Sequence, residues 1–126
     1  LGAALDRAEA YLEAGADMLF IEGPRTLDEA AEIARRFADR VPLVHNLVEG
    51  GVTPATDCGT FFDLGYALTL HPLLLMHALA KAAPRVLDVL RETGSTASLR
   101  AEIADLGDMN RLTGAQAILE EAQRYA

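Results

Sequence analysis

Asn46-Leu47-Val48-Glu49-Gly50-Gly51-Val52-Thr53-Pro54 (NLVEGGVTP) comes directly after the apolar run Val41-Pro42-Leu43-Val44. The apolar run reads as a buried strand. The nine residues after it are no ordinary turn. They carry an amide, Asn46, a carboxylate, Glu49, and two adjacent glycines, Gly50 and Gly51. In parallel α/β folds ligands gather beyond the C-terminal ends of strands, so polar groups placed there need a reason.

Outward from this loop the chain alternates helix and strand. Leu5, Ala8, Tyr11 and Leu12 fall on one face of a helix over Ala3 to Ala14, and Gly15 stands where a left-handed cap belongs. Asp17 to Glu22 is of strand length and Gly23-Pro24 closes it. Thr26-Leu27-Asp28-Glu29 reads as a capping box opening a helix to about Ala38. The second strand is Leu43 to Leu47. Asp57 can cap a short helix that ends at Leu64-Gly65, and Tyr66 to Leu70 is the third strand. Pro72 suits the first turn of a long helix reaching Glu92, with a kink expected at Pro84. Ser98 to Ala126 reads as further helix broken at Gly107 and Gly114.

The strands start about 23 to 26 residues apart with helices between them. That pattern predicts parallel pairing with right-handed crossovers. Three parallel strands make a poor sheet alone. A (β/α)8 barrel needs about 250 residues, and this chain has 126. It therefore reads either as a small open α/β domain or as part of something larger.

Composition narrows the function classes. The formal net charge is -8, which disfavours nucleic acid and anionic membrane surfaces as partners. One cysteine, Cys58, forms no internal disulfide and fits a reducing, cytoplasmic setting. The longest apolar stretch, Ala67 to Ala80, is interrupted by His71, Pro72 and His77 and is too short for a bilayer. No signal peptide is read, and a start at Leu1 rather than Met suggests sequence upstream.

The strand ends offer Glu22, Asn46 and Leu70-His71. Glu22 can pair with Arg25, or it can bind substrate or manage a proton. Asn46 can bond the turn backbone or fix a substrate carboxylate. Alternation along the strand puts Asn46 with Val44 and Val48 and turns His45 the other way, toward the helices. Gly50-Gly51 can serve an unusual turn or let a ligand approach backbone. His71 is a structural residue or a ligand contact, and His45 and His77 read as packing or surface residues. Cys58 opens a helix, but no partner base stands near it in sequence, so it reads as an inert thiol. Residues 45, 58, 71 and 77 lack a recognised metal-ligand spacing. There is no GxxxxGK and no GxGxxG.

Several stretches together resemble the C-terminal part of the isocitrate lyase / phosphoenolpyruvate mutase superfamily. They are Arg7 to Asp17, Phe20 to Pro24, NLVEGGVTP, Asp63 to Tyr66, Leu70 to Leu73 and Val89 to Ser95. The asparagine followed by VEGG and TP is the most specific. It is most similar to the branch with methylisocitrate lyase, dimethylmalate lyase, petal death protein and carboxyphosphonoenolpyruvate mutase.

The resemblance implies the C-terminal part of a TIM (β/α)8 barrel, with these strands as the sixth to eighth. Residues 1–126 would then be one portion of a single catalytic domain whose N-terminal part is absent from this chain. It implies a long eighth helix swapped between subunits of a homodimer or homotetramer. It implies a Mg-dependent lyase for a small 2-hydroxy or 2-oxo dicarboxylate, with the Mg ligands and a catalytic cysteine loop in the absent part. By the same resemblance Glu22 helps arrange the substrate as the catalytic residue, Asn46 binds a substrate carboxylate, Leu70 lines the pocket, and Gly50 shapes a loop approached by ligand. Phosphonate chemistry, as in a carboxyphosphonoenolpyruvate mutase, is the alternative, although phosphoenolpyruvate mutases tend to have His where Glu22 stands. A non-catalytic half-barrel that works by association is the reading from another class. The chain departs from the family pattern at His45, Gly23, Cys58-Gly59, His71 and Pro84.

Overall fold

The computed structural model describes residues 1–54 and 57–125. It divides into two compact units, Leu1–Ala78 and Leu79–Ala126. The first contains α1 (Gly2–Glu13), β1 (Leu19–Phe20), α2 (Leu27–Phe37), β2 (Leu43–Asn46), α3 (Cys58–Leu64) and β3 (Leu68–Leu70). The strands lie in the order β1-β2-β3 and both pairings are parallel. Leu19 is opposite Leu43, and Phe20, Val44 and Leu68 form a row across the sheet. Asn46 lies opposite Leu70. The βαβ order read from the sequence is therefore present, with shorter strands. Asp17 and Met18 lie in a bend and are exposed, so only Leu19 and Phe20 of the first run join the ladder.

Local chemistry sets the helix ends. Thr26 Oγ1 accepts the Glu29 N–H (3.1 Å) at the start of α2. The Glu29 carboxylate accepts the N–H of Arg25 (2.7 Å) rather than that of Thr26, so the reciprocal half of the capping box falls one residue early. Asp57 caps α3 by accepting the Thr60 N–H (2.8 Å) and also accepts the Thr60 hydroxyl (2.8 Å). Gly65 ends α3 at φ +104°, and a Cβ there would lie 3.1 Å from the Ala38 Cβ. Both the backbone angle and the crowding call for glycine.

The core lies on one face of the sheet. Leu5 and Ala8 of α1 and Ile33, Ala34 and Phe37 of α2 pack with Leu19, Leu43, Leu47, Phe61 and Tyr66. Tyr11, read as part of the apolar face of α1, is 59% exposed. Arg40 donates to Glu9 from both terminal guanidinium nitrogens, tying the turn after α2 to α1. The opposite face is also apolar and partly exposed. Phe20, Leu68 and Leu70 are each 41–46% exposed there.

His45 points toward the helices, as alternation requires. Its ring stacks on Phe61 at 3.9 Å and meets Tyr66 edge-on at 5.8 Å. It is buried, and neither ring nitrogen has a hydrogen-bond partner among the described residues. Burial lowers its pKa. Below the ordinary value of about 6.5 the unfolded chain takes up a proton that the buried ring resists, so stability falls as the pH drops through that value. His45→Leu is expected to remove this acid-side loss and to add about 1 kcal/mol of stability by removing the unpaired nitrogens. Thermal melts of the full-length protein at about pH 7.5 and 5.5 check both effects.

The second unit carries the rest of α4 (Leu74–Thr93), a 3-10 turn at Ala97–Leu99, α5 (Leu106–Thr113) and α6 (Ala115–Ala122). Pro72 precedes α4 in a turn rather than occupying its first turn, and α4 continues through Pro84. Gly107 is not a break. It lies in the first turn of α5, which Asp105 and Asp108 open with a reciprocal capping box. The break falls at Gly114, at φ +69°. Ala126 lies outside the described residues. No residue of α4, α5 or α6 is buried, and Leu75, Leu87, Leu112 and Ile118 are all more than 60% exposed. No helix among the described residues is long and apolar enough to cross a membrane.

Candidate active site

The C-terminal ends of β1 and β2 and the loop after β2 enclose an open hollow of about 210 Å³. Glu22, Asn46, Gly51 and Thr53 are among the residues that line it. Thr53 Oγ1 donates to the Pro24 carbonyl (2.7 Å), which ties the loop after β2 to the loop after β1. The Gly51 N–H donates to the Val48 carbonyl (2.9 Å), closing a tight turn with Gly50 at φ +75°. A turn with positive φ at its third residue favours glycine. Gly51 is needed for space, since a Cβ there would sit 2.9 Å from the Val48 oxygen.

Asn46 is half-buried at the end of β2. Its Oδ1 is buried without a partner among the described residues. An acceptor buried without a partner costs about 1–3 kcal/mol, so Oδ1 calls for a donor. Leu70 is in register beside Asn46 on the same face of the sheet and is 41% exposed. Glu22 is exposed at the rim. No ion pair joins it to Arg25 among the described residues; the Arg25 N–H goes to Glu29 instead. Glu22 and Asn46 thus share one hollow, with Leu70 on the strand beside Asn46.

Gly50 lies apart from these residues. It lines a second hollow of about 280 Å³ together with Glu49 and His71, and the two hollows share Leu47, Val48, Gly51 and Thr53. Nothing in the chain comes within 4 Å of a Cβ built on Gly50, so its role visible here is the turn.

Glu49 and His71 of the second hollow belong to a side-chain cluster that the sequence reading missed. Cys58 Sγ is 3.4 Å from His71 Nε2. His71 Nδ1 is 3.6 Å from one Glu49 oxygen, and His77 Nδ1 is 3.5 Å from the other. Cys58 therefore has a base beside it, contrary to the reading of an isolated thiol. The partners are 13 residues apart in sequence. A residue opening the helix after β2 and one ending β3 both arrive at the same edge of a parallel sheet, and that relation was the available signal. The His71 hydrogen bond, and then Thr69, lower the Cys58 pKa, against the nearby charge of Asp57. Cys58 first, and then Glu49, raise that of His71. Glu49 is held below the usual carboxylate range first by its own backbone N–H and then by the two histidines. Among the described residues no group of three or more His, Cys, Asp or Glu is placed to hold a metal ion.

This arrangement of a parallel sheet with polar strand ends has relatives. The profile of the phosphoenolpyruvate phosphomutase family matches residues 1–91, and the chain belongs to that family, within the isocitrate lyase / phosphoenolpyruvate mutase superfamily. It is 37% identical over 123 residues to the chloroplastic carboxyvinyl-carboxyphosphonate phosphorylmutase of Arabidopsis thaliana, covering 98% of this chain and 36% of that protein. It is 43% identical over 97 residues to 2-methylisocitrate lyase of Salmonella typhimurium, covering 75% and 32%. A phosphonopyruvate hydrolase solved with oxalate and Mg2+ shares the fold at a TM-score of 0.78 and 25% identity, over 98% of this chain and 44% of that one. The chain spans about a third of the length of these curated relatives.

Proposed function

We propose that this chain is the C-terminal part, strands six to eight, of a (β/α)8-barrel lyase that cleaves a carbon–carbon bond in a small 2-hydroxy or 2-oxo dicarboxylate. The observation that carries the reading is that the amide Asn46 and the carboxylate Glu22 line one hollow at the strand ends. The Asn46 side chain carries an NH2 group beside Oδ1, and an NH2 group donates to a carboxylate. Asn46 holds one substrate carboxylate in this way. Glu22 orients the reacting end, and Leu70 gives the pocket an apolar wall beside Asn46. Cleavage leaves negative charge on an enolate, and donors fixed before the reaction stabilise such charge without reorganising.

Mg2+ is the cofactor we propose for the whole enzyme. The residues described here offer it no ligand cluster, so its ligands belong to another part of the protein and no step is assigned to it on this chain. The exposed Phe20, Leu68 and Leu70 of the sheet and the exposed apolar residues of α4 to α6 support burial against further parts of the whole protein. We propose a homodimer or homotetramer in which the long helix is exchanged between subunits.

The likeness to a phosphorylmutase over 98% of the chain favours a second reading, chemistry at a carbon–phosphorus bond. Incubating the full-length protein with Mg2+ and 2-methylisocitrate, 2,3-dimethylmalate or phosphonopyruvate separates the two. Pyruvate is expected from the carboxylic acids. Phosphate release from phosphonopyruvate without any carbon–carbon cleavage would overturn the lyase reading.

A further inference from the structure

Glu49, His71 and Cys58 stand in the order carboxylate, imidazole, thiol at the C-terminal edge of the sheet. The Cys58–His71 contact is 3.4 Å and the His71–Glu49 contact 3.6 Å. A nucleophile bonded to a base that a third group orients is the general pattern of an activated side chain. Cys58 is only partly buried. His71 and Glu49 line the second hollow and not the one that Glu22 and Asn46 line. None of Glu49, Cys58 and His71 lines the dicarboxylate hollow, so their chemistry does not rest on the function proposed for it.

We propose that Cys58 is a reactive thiol site for small soft electrophiles, with hydrogen peroxide as the substrate class. Proton transfer from Cys58 to His71 leaves a thiolate beside an imidazolium, and Glu49 holds the ring from behind. The sulfur attacks one peroxide oxygen. An S–O bond forms, the O–O bond breaks, and the departing hydroxide takes the His71 proton to leave as water. Sulfur loses two electrons, peroxide gains them, and Cys58 becomes a sulfenic acid. His77 Nδ1 is 3.5 Å from Glu49 and shares its charge with His71. Asp57 acts against the thiolate, while the Thr69 hydroxyl supports it.

The test uses the full-length protein and follows the Cys58 peptide by mass spectrometry. At about pH 7, iodoacetamide is expected to label Cys58 faster in the native protein than in the urea-unfolded chain. His71→Gln should slow labelling severalfold, and Glu49→Gln should slow it less. Brief hydrogen peroxide followed by dimedone should mark Cys58 in the wild type and leave it unmarked in His71→Gln. Native labelling no faster than in the unfolded chain overturns the proposal, as does a peroxide-treated wild type without a Cys58 adduct. An unchanged rate in a folded His71→Gln variant overturns it as well. Should His71→Gln fail to fold, the two wild-type measurements decide.

Discussion

Asn46→Asp in the full-length protein is expected to lower kcat/KM for a dicarboxylate substrate by about 100-fold or more. The substitution keeps the size of the side chain and replaces its donor with a charge. A hydrogen bond to a charged group is worth about 1.5–3 kcal/mol, and each 1.4 kcal/mol is roughly a factor of ten. The new carboxylate also repels the one it should hold, in a pocket where water screens the charge less than in bulk. Asn46 is half-buried at a strand end and outside the apolar core, so the fold should survive. Steady-state kinetics beside a thermal melt distinguish a lost site from a lost fold.

Glu22→Gln is the second large effect. The residue is exposed at the rim of the same hollow. Its carboxylate makes no hydrogen bond or ion pair among the described residues, so little in the fold depends on it. A carboxylate positioned at a reacting centre contributes through charge and proton handling, effects that reach about 100-fold or more for a direct acid or base. For a residue that orients substrate, a fall in kcat of about tenfold is expected, with the melting temperature unchanged. Wild-type turnover in a well-folded Glu22→Gln protein would remove Glu22 from the mechanism.

Local chemistry makes much of the fold legible in the sequence. The Thr26 and Asp57 caps and the glycine at the end of α3 come from residues a few positions apart, and the parallel order of the strands comes from their alternation with helices. Even the orientation of His45 is legible, because a strand has a strict two-residue period. The misreadings have physical causes. Gly107 lacks a side chain, which suggests a break, but Asp105 and Asp108 satisfy the helix start around it. Apolar Met18 suits a strand by composition, yet its backbone lies in a bend outside the ladder. The site divides in the same way. Glu22 and Asn46 are legible because strand ends converge in this kind of sheet. Adjacency in sequence groups Gly50 with them, but Gly50 lines only the neighbouring hollow. The Cys58–His71 contact depends on where α3 begins relative to the end of β3, which only the packed crossover fixes.

The central claim is that the Glu22–Asn46 hollow receives a carboxylate. Calorimetric titration of oxalate, with Mg2+ present, into full-length wild type and Asn46→Asp tests it most directly. Saturable binding to the wild type is expected, with an affinity at least about tenfold weaker in the variant. Equal affinities in two equally folded proteins would contradict the claim and place the carboxylate elsewhere in the molecule.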